Sequence, residues 1–260
     1  MISLDLAAVE QWVLAFLLPF FRVTGFVVAA PIFGARMVPA RVKVFLVLAI
    51  TLILVPIVPE GGYVGHFGLQ VWLQGIAQLL IGILLGFVVQ ILFQIVVLAG
   101  QFLAMQMGLG FAAVNDPVNG MSVVALSQFY LLLSTLLFLV MNGHLVILGM
   151  LADSFVWLPV GQWPDSESFW RIAQGGSWMF ASALSLALPG IIALGLVNFA
   201  FGIITKAAPQ LNIFAIGFPF TLIFGLFIFW AGLVDTIWQH RTFMDFLFNW
   251  MPTLIGGGHG

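Results

Sequence analysis

The 260-residue chain has no cysteine, and only 6% of its residues are Asp, Glu, Lys or Arg. The missing thiols exclude disulfides, thiolate metal sites, iron–sulfur clusters and a cysteine nucleophile. A soluble domain is about 25% charged, so the scarcity of charge excludes an ordinary water-covered surface. A formal net charge of −2 offers no electrostatic attraction for nucleic acid or another strongly charged partner. The N-terminal stretch carries Asp5 and Glu10 where a signal peptide would be basic, so insertion is expected to use the first helix itself. Phosphate-cradling loops, nucleophile elbows and paired-histidine zinc helices are absent. His66, His144, His240 and His259 are too far apart for ligand spacing, and no cofactor or metal is expected.

What the chain does have is hydrocarbon. Hydrophobic residues make up 63% of it, and Gly61–Asn115, Pro117–Ala152, Ile172–Thr205 and Ala207–Val234 contain no Asp, Glu, Lys or Arg. A bilayer span needs about 20 mostly apolar helical residues. Unpaired backbone groups are too costly in lipid, and strong period-two alternation is missing, so helices are predicted rather than a barrel. The expected fold is all-α, a multi-helix membrane-type protein built from hydrophobic helical hairpins. Six apolar segments are predicted: Trp12–Phe33, Val44–Val58, Leu69 to as far as Met107, Val123–Ala152, Ser177–Thr205 and Leu211–Val234. An amphipathic tail helix, Thr236–Trp250, mixes Trp238, Phe243, Phe246 and Trp250 with Arg241 and Asp245, as interfacial segments do. Residues 251–260 are expected to be a flexible tail. The positive-inside rule places Arg36–Lys43 and Lys206 in the cytoplasm and both termini outside, although Arg171 and Arg241 count against it.

Polar and small residues mark the internal faces. Gly75, Gly82 and Gly86 share one face of the third segment, flanked by glutamines that include Gln90 and Gln94. Small residues allow close helix approach and amides can hydrogen-bond across an interface. Packing within one bundle and packing against other subunits both fit. Arg22 lies inside the first segment, where a charge costs roughly 2.5–3.5 kcal/mol on insertion scales. It therefore calls for a partner, and Asp116 is one candidate. His144 reads as a hydrogen-bonded packing residue, with proton relay as the alternative.

The least regular stretch runs from Met105 to Met121 and includes Met107, Gly108, Gly110, Phe111, Asn115, Asp116 and Pro117. Pro117 disfavours helical geometry at Asp116, and the glycines loosen the backbone. The surrounding side chains are nevertheless apolar, and irregular backbone at such a place survives only when buried in protein or lining a cavity. A soft plug and an ordinary buried connection are the two readings.

Four stretches in order resemble the FliR family: Arg22-Val23-Thr24-Gly25; Ala30-Pro31-Ile32-Phe33-Gly34 followed by Pro39 and Arg41; a centre with Asp116-Pro117, Gln128-Phe129, Gly143-His144 and Ser154-Phe155; and Lys206–Pro219, reading KAAPQLNIFAIGFP. The resemblance spans nearly the whole chain. It implies a subunit of the flagellar type III export apparatus, related to equivalents in virulence injectisomes. This subunit would pack with sister subunits FliP and FliQ into a helical gate, with FlhB near the entrance and unfolded export substrates passing through. It further implies an inner-membrane location at the basal body, with much of the protein raised toward the periplasm and the rest meeting membrane lipid. Residues 1–171 would be FliP-like and 172–250 FliQ-like. The loop Gly108–Met121 matches the family's channel-closing loop. Pro209, Gln210, Asn212, Phe214 and Pro219 are assigned to subunit packing, with Pro209 suited to a helix first turn and Pro219 to a kink.

Two other classes remain open on residues alone. A secondary transporter or proton channel would use Arg22, Asp116 and His144 as a relay, with Pro19, Pro189 and Pro219 breaking helices. A lipid-acting enzyme would need His144, Asp153 and Ser154 to converge, yet His144 and Asp153 fall on opposite helix faces.

Overall fold

The structure, a computed structural model, describes residues 6–58, 68–109, 125–208 and 213–255. Those residues form helices and their connections, with no strand among them. In chain order the helices are α1 (Leu6–Ala29), α2 (Ala40–Leu54), α3 (Leu69–Gln106), α4 (Ala125–Val140), α5 (Gly143–Trp157), α6 (Ser166–Ala207), α7 (Ile213–Ala231) and α8 (Leu233–Ile255). Three of them, α1, α3 and α6, are singly long and apolar enough to cross a membrane. The pairs α4 with α5 and α7 with α8 meet the same test when each is taken together.

The differences from the sequence reading have local causes. The segment Val123–Ala152 is two helices, because Asn142 takes a left-handed conformation with φ 57°. Asparagine is one of the few residues that visit this region without a large penalty, and Gly143 follows it. The fifth segment starts eleven residues earlier than expected, at Ser166, where Asp165 Oδ1 accepts a 2.6 Å hydrogen bond from the Ser168 N–H. This is an N-cap arrangement, and the bonds from Ser168 hold the Asp165 carboxyl below its ordinary range. Pro19, Pro189 and Pro219 do not break helices; α1, α6 and α7 run through them. One proline costs a helix one backbone bond, and the remaining bonds carry these long elements. The tail helix reaches Ile255, so Met251–Ile255 are not a flexible tail: Met251 and Leu254 are buried, and Arg171 donates 2.5 Å to the Thr253 carbonyl. Residues 256–260 lie outside the described residues.

The chain divides into two compact units. The first takes Met1–Ile91, Met141–Gly176 and Asp245–Gly260; the second takes Leu92–Val140 and Ser177–Met244. In the first unit α2 packs against α1, and Leu14, Leu18, Phe26, Ile81, Leu85 and Phe155 are fully buried. The second unit is built around Val96, Ala99, Leu103, Ala104, Met107, Leu126, Tyr130, Ala187 and Leu194. These units interleave along the sequence.

Candidate functional site

In the first unit, the glycine face of α3 is filled by α1 of the same chain. A Cβ added at Gly82 would strike the Arg22 carbonyl oxygen and lie 2.8 Å from the Phe26 nitrogen. One at Gly25 would strike the Leu79 carbonyl oxygen and lie 2.9 Å from the Ile83 nitrogen. One at Gly86 would sit 2.7 Å from Ala29 Cβ, and Gly75 faces the Phe21 ring at 3.0 Å. Gly82 and Gly86 are spaced as GxxxG, and Gly25 and Ala29 form the matching small pair on α1, so the two backbones touch. Packing within the chain therefore accounts for Gly75, Gly82 and Gly86. Gln90 and Gln94 are half-buried further along α3.

That close approach delivers Arg22 to a sealed position, 0% exposed. Its Nε donates to Gln78 Oε1 at 2.7 Å, one terminal nitrogen donates to the Ser154 carbonyl at 2.7 Å and to Ser154 Oγ at 3.1 Å, and the other donates to the Leu158 carbonyl at 2.8 Å. The guanidinium also lies 4.1 Å from the Phe155 ring centroid, a cation–π distance. Ser154 can accept because its own hydroxyl proton goes to the Leu151 carbonyl at 2.7 Å. Ser154 and Leu158 mark the C-terminal end of α5, the negative end of a helix dipole, where a cation is stabilised without a carboxylate. The carboxylate anticipated from the sequence is thus replaced by a helix end among the described residues, and Asp116 lies outside them. Nothing along the sequence marks Gln78 or Ser154 as a partner of Arg22, although Ser154 stands in the Ser154-Phe155 stretch.

Among the described residues neither the relay nor the hydrolytic set is assembled, and Asp116 of the relay lies outside them. Among the described residues every oxygen that Arg22 touches is neutral, an amide, a hydroxyl or a backbone carbonyl. His144 is half-buried and its Nδ1 has no partner. Asp153 is exposed while Ser154 is committed to Arg22 and Leu151.

In the second unit, α3 ends in a defined stop. The Leu109 N–H donates to the Ala104 carbonyl at 3.0 Å and the Gly108 N–H to the Met105 carbonyl at 3.1 Å, with Gly108 at φ 81°. These are the two bonds of a Schellman motif, with glycine at its left-handed position. Leu109 packs on the core beside it. Gly108 therefore terminates a helix and does not loosen a loop, and Met107, 1% exposed, is core. The remaining plug residues, Gly110, Phe111, Asn115, Asp116, Pro117 and Met121, lie outside the described residues, as do Pro209, Gln210 and Asn212. The Phe214 side chain is likewise outside them, while Pro219 is exposed on α7.

One long surface remains. Along α6, Phe180, Leu184, Leu188, Ile192, Leu196, Phe199 and Ile203 are all exposed, at intervals of four or three residues, which places them along one side of the helix. Gly176 and Gly202 on the same helix have, among the described residues beyond their own turn of helix, nothing within 4 Å of where a Cβ would stand.

The pattern of the family described as bacterial export proteins, family 1, matches residues 13–246. The flagellar biosynthetic protein FliR of Escherichia coli (strain K12) is 39% identical over 246 residues, covering 94% of this chain and 92% of that protein. FliR of Pectobacterium carotovorum subsp. carotovorum is 40% identical, covering 83% of each. FliR of Buchnera aphidicola subsp. Acyrthosiphon pisum (strain APS) is 34% identical, covering 81% of this chain and 82% of that protein.

Proposed function

We propose, from the premise that the chain belongs to the FliR family of bacterial export proteins, that this membrane-type component of the flagellar export apparatus is a structural, channel-forming subunit of the export gate and performs no catalysis. The observation that carries the proposal is α6. Its charge-free run Ile172–Thr205 is about 50 Å of helix at 1.5 Å per residue, against about 30 Å of bilayer hydrocarbon. Only 17% of its most apolar window is buried by the chain itself. Even a helix tilted by about 40°, the upper end of the usual range, would carry such a run beyond the lipid. The excess apolar length needs protein around it, and the open glycines on α6 suit close approach by other helices. The companions are FliP and FliQ, with FlhB near the entrance, and the assembly stands partly raised toward the periplasm at the flagellar basal body in the inner membrane. The halves 1–171 and 172–250 are a FliP-like and a FliQ-like ancestry joined in one chain, whatever compact units they later formed.

Within that assembly the stretch following α3 closes the passage. The plug is Gly110–Met121, shortened at its start because Met107 and Gly108 belong to the helix stop, and it yields to an unfolded substrate. Deleting Gly110–Asn119 and measuring ion flux through reconstituted gate tests this: a raised leak is expected, and an unchanged leak would remove the plug. Co-expression with the sister subunits tests the rest. The chain should enter a large hetero-oligomer of fixed composition, whereas a stable monomer that moves protons in liposomes would make it a transporter.

A further inference from the structure

The last turn of α3 is held by three contacts within the second unit. Met107 fills the space that a side chain at Gly225 of α7 would need: an added Cβ would strike Met107 Cγ and lie 2.8 Å from Sδ and 2.9 Å from Cε. Leu103 occupies the corresponding space at Gly190 of α6, where an added Cβ would strike its Cδ2. The Gln106 carbonyl, left over at the helix end, accepts a 3.2 Å hydrogen bond from Asn198 Nδ2. Together with the Schellman stop at Gly108, these fix the position and direction in which the chain leaves α3.

The geometry points to Met107 and Gly225 as positioning residues for export: a knob and socket that stays closed through the transport cycle, so that α3 remains docked on α7 while substrate passes. This rests on the proposed gate role and adds a mechanical claim to it. The physical ground is the match of shape. Methionine is the most adaptable apolar side chain, yet here it meets a glycine that leaves room for no other group, and interiors packed this closely switch between discrete arrangements instead of deforming gradually. A junction that opened in each cycle would have to expose Met107, Leu103 and the Gln106 carbonyl together.

The chain's lack of cysteine makes a clean test possible. The double variant M107C/G225C carries the only two thiols in the chain, on Cβ positions within the reach of a disulfide, about 3.5–4.5 Å. It would be produced with the sister subunits in a flagellated strain lacking its own copy, and secretion of flagellar protein would be compared in oxidising and reducing conditions. The inference expects the crosslink to form in the assembled protein and secretion to be equal in both conditions. A crosslink that stops secretion until reductant is added would overturn it, and so would failure to crosslink. If the reduced double variant is already inactive, G225A and G225A/M107A replace it. Loss of secretion in the first and recovery in the second are expected, and no recovery would count against the socket. The Gly110–Asn119 deletion tests the plug separately, so failure of either idea can be told from failure of the other.

Discussion

Replacing Arg22 by alanine would strand specific atoms, and which ones can be read from its partners. The Ser154 carbonyl keeps the Leu158 N–H at 3.0 Å, and Ser154 Oγ keeps its own bond to Leu151. Among the described residues, the Leu158 carbonyl and Gln78 Oε1 lose the only side-chain donors that reach them, and the Gln78 Nε2 is already without a partner. Each buried group left unpaired costs about 1–3 kcal/mol, and the vacated volume adds to that. Relief from burying a guanidinium offsets part of the sum, and measured losses when one partner of a buried charged contact is removed are about 3–5 kcal/mol. Arg22→Met fills the volume and strands the same two acceptors, about 2–6 kcal/mol before the same relief is subtracted, and so costs less than alanine. Thermal unfolding of the detergent-extracted protein, followed by tryptophan fluorescence, should fall on the order of 10 °C for alanine, at about 2–4 °C per kcal/mol for a chain of this size, with methionine in between. A methionine variant as stable as the parent or more so would show that α1, α3 and α5 are joined by packing alone, and that the charged contacts add nothing.

The two kinds of glycine should separate cleanly in the same assay. Gly82→Ala pushes a methyl into backbone atoms that cannot turn aside and should cost about 1–3 kcal/mol, the usual price of overpacking. Gly202→Ala meets open space and should raise the stability of the extracted chain by about 0.5–1 kcal/mol; a drop would mean that an added methyl meets something there after all. Gly108→Ala should lower stability by about 1–2 kcal/mol, because a Cβ is strained in the left-handed region, and alanine melting like the parent would argue that the Schellman stop is not kept in solution. His240 is 1% exposed with neither ring nitrogen bonded, so His240→Leu should be neutral or stabilising, as removal of an unsatisfied polar group usually is. A clear loss would point to a bonding partner for the ring that the chain itself does not supply.

Much of the fold was legible because its cause is local. Helix against strand was decided by backbone hydrogen bonding in a chain with almost no charge, and α3 ran as one element to within a residue of its predicted end. The break at Asn142 carried a signal that was passed over: asparagine followed by glycine is a turn dipeptide, but it stood in so apolar a run that hydrophobic continuity dominated. The early start of α6 was hidden in the polar stretch before Ser177, where Asp165 and Ser168 already had capping spacing.

The order of residues is enough for the helical, lipid-compatible class, for the family, and for the need of Arg22 to be neutralised or paired. The partner is set only once the chain folds: among the described residues it is a helix end with a glutamine 56 residues away, not a carboxylate, because oxygens gathered from two separate helices have no signature along a chain. Folding also assigns the glycine face of α3 to α1 and places Met107 in the core of its unit. Composition says that small and oily side chains will be covered; which surface covers them depends on distances that exist only after the helices have packed.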